Sequence, residues 1–139
     1  MKQFIILLII ASTCFSFKTT SINENLLGKW AGTDKSEIGY ITFKEAGEAY
    51  FEVGDQIYGG EEFEVNGKLY NMYYTSNFEV QPFEIDFIVT DLNTKEVRKM
   101  ICIGEFIDEN SMNFAVGFDD VRPTDFVGPN AIVLTRVNE

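Results

Sequence analysis

The sequence contains no histidine, two cysteines and three prolines, and its 22 acidic residues outnumber its 11 basic ones two to one. Each shortage closes off a class of function. Without histidine, a serine or cysteine nucleophile lacks its usual general base, and the commonest metal ligand is missing. Zinc sites of the His/Cys kind are excluded for the same reason. Cys14 belongs to the N-terminal leader or its boundary, so Cys102 has no expected disulfide partner, and stability has to come from packing. The scarcity of cations makes the surface repel phosphate backbones and anionic headgroups, and nucleic acid is not an expected partner. After the leader no stretch approaches the roughly 20 apolar residues of a spanning helix, so no integral membrane span is expected.

What is present begins with that leader. Lys2 supplies a positive start, Phe4 to Ala11 is an unbroken apolar run, and small or polar residues follow from Ser12 to Ser16. This is the pattern of a secretory signal peptide over residues 1–16, too short in its apolar part to remain as an anchor. Cleavage after Ser16 leaves a free exported protein, in the periplasm or outside the cell. Cleavage after Thr13 instead makes Cys14 the N-terminus and a candidate for lipidation, with the chain tethered to an outer membrane. Removing residues 1–16 deletes only Lys2, leaving ten cations against the same 22 acids and moving the net charge from −11 to −12. Residues 17–25 read as a linker and 26–139 as a single domain.

Within that domain, strand-sized runs alternate with turn signals, and no segment of helix length shows a 3.6-residue period. Around Gly47 a tight loop pairs Phe43 with Ala49 and Ile41 with Phe51, and Val53 follows on the same face. Asn66–Gly67 is a two-residue hairpin turn that joins Val65 to Lys68 and aligns Phe63 and Val65 with Tyr70, Met72 and Tyr74. A third turn at Asp108–Ser111 pairs Ile107 with Met112 and puts Ile101, Ile103 and Ile107 on the face of Phe114, Val116 and Phe118, with Glu105 or a bulge interrupting. Phe83, Ile85, Phe87 and Val89 alternate with acids, a first strand lies around Lys29 to Thr33, and Ile132 to Val137 forms the last. About eight or nine antiparallel strands of this kind predict an all-β, up-and-down barrel, whose closure removes exposed edges.

Gly28-Lys29-Trp30 matches the G-x-W that opens the first strand of lipocalins and related calycin barrels. Arg136 stands where that family keeps an arginine across the tryptophan. Thr90–Asp91 matches the T-D of a third lipocalin motif, without its aromatic two residues on, where Asn93 stands. The run from Ile85 through Ile103–Met112 to Arg122-Pro123-Thr124-Asp125-Phe126 and Leu134-Thr135-Arg136 resembles a group of small bacterial lipocalin-like proteins with an R-P-T-x-F loop before the last strand. The resemblance covers residues 26 to 137. It implies a lipocalin-like barrel closed at one end by Gly28, Trp30 and Arg136, with the guanidinium stacked on the indole. That group has no assigned activity, so the likeness speaks to fold.

The phased inward faces converge on Phe43, Phe51, Phe63, Tyr70, Tyr74, Phe87 and Phe114, the candidate lining of a site for a small apolar or amphipathic ligand. The competing expectation is that these rings fill the barrel, and that the protein works as an interaction or inhibitory module through its acidic surface and loops. Catalysis is not expected. Cys102, between two isoleucines, reads as a buried small hydrophobe. Asp119, Asp120 and Asp125 lack calcium-loop spacing and surround Arg122, which predicts a loop salt bridge and no metal. Glu61, Glu62 and Glu64 read as a solvated strand face. Gly59–Gly60 reads as a loop with no phosphate-binding context, and no cofactor is expected.

Overall fold

A computed structural model describes residues 23–34 and 37–138, so the expected leader, Cys14 and most of the linker lie outside the described residues. The period-two alternation gives nine strands: β1 (Gly28–Asp34), β2 (Glu37–Phe43), β3 (Ala49–Val53), β4 (Gln56–Val65), β5 (Lys68–Asn77), β6 (Phe83–Asp91), β7 (Val97–Asp108), β8 (Ser111–Gly117) and β9 (Ala131–Arg136). Each pairs antiparallel with the next, and β9 returns to β1 through Trp30–Arg136 and Ala31–Thr135. The chain is an all-β, closed, up-and-down barrel. Among the described residues no helix is long and apolar enough to cross a membrane.

The first two hairpins take the expected registers, with Phe43 opposite Ala49, Ile41 opposite Phe51, Val65 opposite Lys68 and Phe63 opposite Tyr70. The third does not. Phe106, rather than Ile107, pairs with Met112, because a bulge between Phe106 and Asp108 leaves Ile107 unpaired and exposed. One extra residue flips every side chain before it. Met100, Cys102, Gly104 and Phe106 therefore stand opposite Phe87, Ile85, Phe83 and Met112 on the inward face, while Ile101 and Ile103 face outward. Phe118 lies beyond β8 and is exposed.

Nine straight strands, each antiparallel to both neighbours, cannot close a ring, because alternating directions would leave the ninth parallel to the first. The resolution lies in β4. Its first residues pair with β3, with Tyr50 opposite Gly59, and its later ones with β5, with Gly60 opposite Met72. An antiparallel bridge between Glu48 and Tyr73 meanwhile sets the foot of β3 directly beside β5. So β4 enters the wall as a wedge that reverses at Gly59–Gly60, and eight strands carry the ring beneath it. Gly59–Gly60 is this apex within a strand and not the loop expected from sequence. Both residues have positive φ, 135° and 75°, and a Cβ on Gly59 would overlap the Ala49 carbonyl. Only glycine fits there without strain.

One end of the barrel is plugged. Trp30 and Leu26 are fully buried, and the indole N–H donates to the Leu26 carbonyl at 2.8 Å. The Arg136 guanidinium lies 4.3 Å from the Trp30 ring, and its N–H groups donate to the carbonyls of Leu27 (2.7 Å), Glu109 (3.2 Å) and Asn25. Gly28, at φ 111°, passes under this guanidinium, where a Cβ would come within 3.3 Å of Nη1. Phe106 packs 4.9 Å from Phe83, which is itself 4.6 Å from Phe78, completing an aromatic floor. Such ring pairs add about 0.5–1.5 kcal/mol each beyond burial.

Residues 118–130, which contain the R-P-T-D-F run, fold back over the outside of the barrel. Arg122 donates to the Cys102 carbonyl at 2.9 Å and meets Asp86 at 2.8 Å and Glu84 at 3.5 Å. The expected bridge within the loop, to Asp119, Asp120 or Asp125, is replaced by this pair of acids on β6. They face outward because their neighbours Phe83, Ile85 and Phe87 fill the inside. The hydrogen bond to Asp86 raises the already high pKa of Arg122, so the strap stays charged at any physiological pH.

Candidate functional site

At the end opposite the floor, the wall opens into a cavity of about 610 Å³. Its apolar lining comes from inward positions of five strands: Phe51 on β3, Phe63 on β4, Tyr70 and Met72 on β5, Val89 on β6 and Met100 on β7. Tyr58 and Phe63, from the two arms of the β4 wedge, meet edge to face with their centroids 6.3 Å apart. Phe63 and Tyr70 lie 5.8 Å apart across the next pairing. The wedge thus spreads β3 from β5 at this end, and the gap it leaves is walled by aromatic rings.

Of the seven aromatic residues expected inside, Phe51, Phe63 and Tyr70 line this cavity. Phe114 lines a smaller one of about 310 Å³, on the β1–β2 and β8–β9 side, and Phe51 stands in the lining of both. Phe43, Tyr74 and Phe87 line neither. They form the packed layer beneath, with Phe43 at 4.9 Å from Tyr74 and 5.8 Å from Phe87, and Phe51 resting 4.8 Å from Phe87. Tyr74 satisfies its hydroxyl by donating to the Lys44 carbonyl at 2.8 Å, and burial raises its pKa. The seven rings are therefore brought together, but in two storeys, one packed and one lining space.

The mouth carries charges that the strand pattern did not reveal. Lys68, Arg98 and Lys99 border the cavity, with Asp91 and Glu96 among them. Asp91 points inward opposite Tyr70, and its Oδ1 accepts the backbone N–H groups of Thr94 (3.0 Å) and Asn93 (2.9 Å). These bonds, first that from Thr94 and then that from Asn93, hold its carboxyl below the usual range, and the Lys68 charge adds to them. Arg98 meets Glu96 at 3.6 Å in the open. Sequence reasoning passed over these residues because they flank turns, where side chains no longer alternate between two faces. Tyr58 was missed because the Gly54–Asp55 turn before it was not read as a hairpin, although the glycine was a usable signal.

Cys102 faces the interior and is fully buried, and burial pushes its thiol up to about 12. A thiol so far from ionising is no nucleophile at neutral pH. Asp119, Asp120 and Asp125 are exposed, and among the described residues no group of three or more His, Cys, Asp or Glu could hold a metal ion. Glu61, Glu62 and Glu64 are exposed on the outer arm of β4. No family model, no curated protein and no solved structure matches this chain, so the cavity at the open end has to be read from its own geometry.

Proposed function

We propose that this is an exported, non-enzymatic binding protein whose lipocalin-like barrel holds a small apolar or amphipathic molecule. The observation that carries the reading is the cavity of about 610 Å³ at one end of a barrel whose other end is packed shut. That volume lies within the range of small-molecule sites, and its apolar wall with a few polar groups at the rim is what such sites use. The Trp30–Arg136 stack over Gly28 supports the lipocalin-like assignment. The leader pattern supports export to the periplasm or beyond, either free or tethered through Cys14. A buried, un-ionised Cys102 and the lack of histidine argue against covalent catalysis.

Native mass spectrometry of the mature protein, purified gently from its own host, tests this reading. A co-purifying small molecule near one-to-one is the expected result. A bare polypeptide that also fails to take up any apolar probe would overturn it. A second reading, a protein-interaction or inhibitory barrel, draws on the loop after β8, where Phe118, Val121 and Val127 are all exposed. Charge-driven partner binding by the acidic surface would weaken steeply with added salt, whereas an apolar molecule in the cavity would stay bound.

A further inference from the structure

One stretch of the wall has a strand on one side only. Residues 97–100 of β7 pair with residues 87–90 of β6, but the ladder to β8 begins only at Ile101, opposite Gly117. Beyond Gly117 the chain leaves the sheet, where Asp119 and Asp120 both take left-handed backbone (φ 58°). Among the described residues no other strand pairs with this edge of β7. Alternate backbone N–H and C=O groups along it therefore face an open place in the sheet, the condition in which a strand can be added. Val97, Arg98 and Lys99 are exposed there. Val97 and Lys99 stand on the outer face, opposite Thr90 and Ile88. Arg98 already meets Glu96, whereas Lys99 has no ion-pair partner among the described residues. At the end of the gap the Val121 carbonyl sits against Gly117, and the side chains of Phe118 and Val121 are exposed.

We propose that this edge takes an extended segment of a partner protein as an added strand, with an acidic side chain opposite Lys99 and an apolar one opposite Val97. The proposal rests on the interaction reading and needs nothing from the cavity. In this mode main-chain hydrogen bonds hold the segment, and alternate side chains select it. The incoming strand stands where β8 would run had it continued, so its outward residues, two apart, meet Lys99 and Val97 in turn. Its end nearest Gly117 comes against Phe118 and Val121, which form an apolar ledge. Charge decides between occupants. A second copy using the same edge would bring Arg98 and Lys99 of one chain against those of the other, and like charges facing across a strand pair are unfavourable. A carboxylate in that place turns the repulsion into attraction, so the lysine that guards the edge against its own kind also chooses its partner.

Fluorescence anisotropy of the mature protein with a labelled octapeptide of alternating valine and glutamate tests this. The peptide should bind about tenfold more tightly than the same peptide with lysine in place of glutamate. Methylating one alternate set of its backbone amides should abolish binding, and methylating the other set should not, because an added strand turns only one set toward β7. Bound peptide should slow amide exchange in residues 97–100 and leave β1 unchanged. Lys99→Glu should weaken the glutamate peptide about tenfold and strengthen the lysine one. Phe118→Ala should weaken the glutamate peptide severalfold. Both of these side chains are exposed, so neither change threatens the fold. Equal binding of the two peptides, or the same effect from both methylated sets, would overturn strand addition at this edge. Absence of binding by either peptide would overturn it as well. A natural partner that salt still releases from the protein would then leave the interaction reading standing on the acidic face alone.

Discussion

The two ends of the barrel are built from the same kinds of residue and differ in what those residues do. At the closed end, Trp30, Phe83 and Phe106 fill the section, and Arg136 ties its own strand to two other chain segments through the carbonyls of Asn25, Leu27 and Glu109. At the open end, Phe51, Phe63 and Tyr70 keep part of their surface and border empty space. The cause lies in the wall. Eight strands converge on one indole below, whereas above them the β4 wedge holds β3 and β5 apart and β8 stops at Gly117, leaving the start of β7 without that partner. Aromatic residues thus fill the section where the wall is narrow and line open space where it is spread.

The largest expected effect comes from removing the floor. Trp30→Ala and Phe83→Ala each delete a fully buried ring, and each should lose about 3–5 kcal/mol in denaturant unfolding, a large share of the stability of a domain this size. Phe63→Ala, at the mouth, should lose only about 1 kcal/mol while weakening an apolar probe bound in the cavity about tenfold, since a half-buried ring gives up less packing than a core one. If Phe63→Ala proves as destabilising as Phe83→Ala with affinity unchanged, the division between the ends is wrong.

A smaller effect tests the outer strap. Arg122→Ala removes a donor to the Cys102 carbonyl and the partner of Glu84 and Asp86, and should cost about 1–2 kcal/mol, reduced by the partial exposure of the pair. Amide exchange should quicken in β6 and β7 before it does in β1. Uniform acceleration around the barrel would argue that the strap stabilises the whole fold and not one wall.

Acid should then weaken both ends together. Asp91 at the mouth and Asp108 at the closed end have carboxyls held below the usual range, the first chiefly by the Thr94 N–H and the second by that of Asn110. A group whose folded pKa is depressed stabilises the fold above its unfolded value and loses that contribution as pH falls through the folded one. Stability should accordingly hold at neutral pH and decline below about pH 4. Asp91→Asn and Asp108→Asn should each flatten that decline in a pH series of unfolding midpoints. The least effect of all is expected at Cys102, which should resist thiol reagents at neutral pH until the barrel unfolds, because burial pushes its pKa to about 12.

The closed end was the more legible half in the sequence. Gly28, Trp30 and Arg136 could be named because the G-x-W opening and the late arginine resemble a known barrel pattern, and the hairpins at Gly47 and Asn66–Gly67 because turn geometry and alternation specify the same register. The mouth was legible only in part. Phe63 and Tyr70 fell on phased faces, but Lys68, Arg98 and Lys99 look like any solvated charges until the fold gathers them. The third hairpin was misphased because Ile107 is as apolar as its neighbours, and nothing local marks it as the residue left out of the ladder.

By itself, the sequence determined the strand class and the hairpin registers set by two or more agreeing local signals. These depend on neighbours within a few residues. The tertiary structure alone decided the reversal of β4 at Gly59–Gly60, the outward partners of Arg122 and the division of seven aromatic rings between a packed layer and a cavity. Those outcomes follow from closing the ring, a condition that couples Glu48 to Tyr73 and Trp30 to Arg136 across long stretches of chain and that no window of local sequence contains.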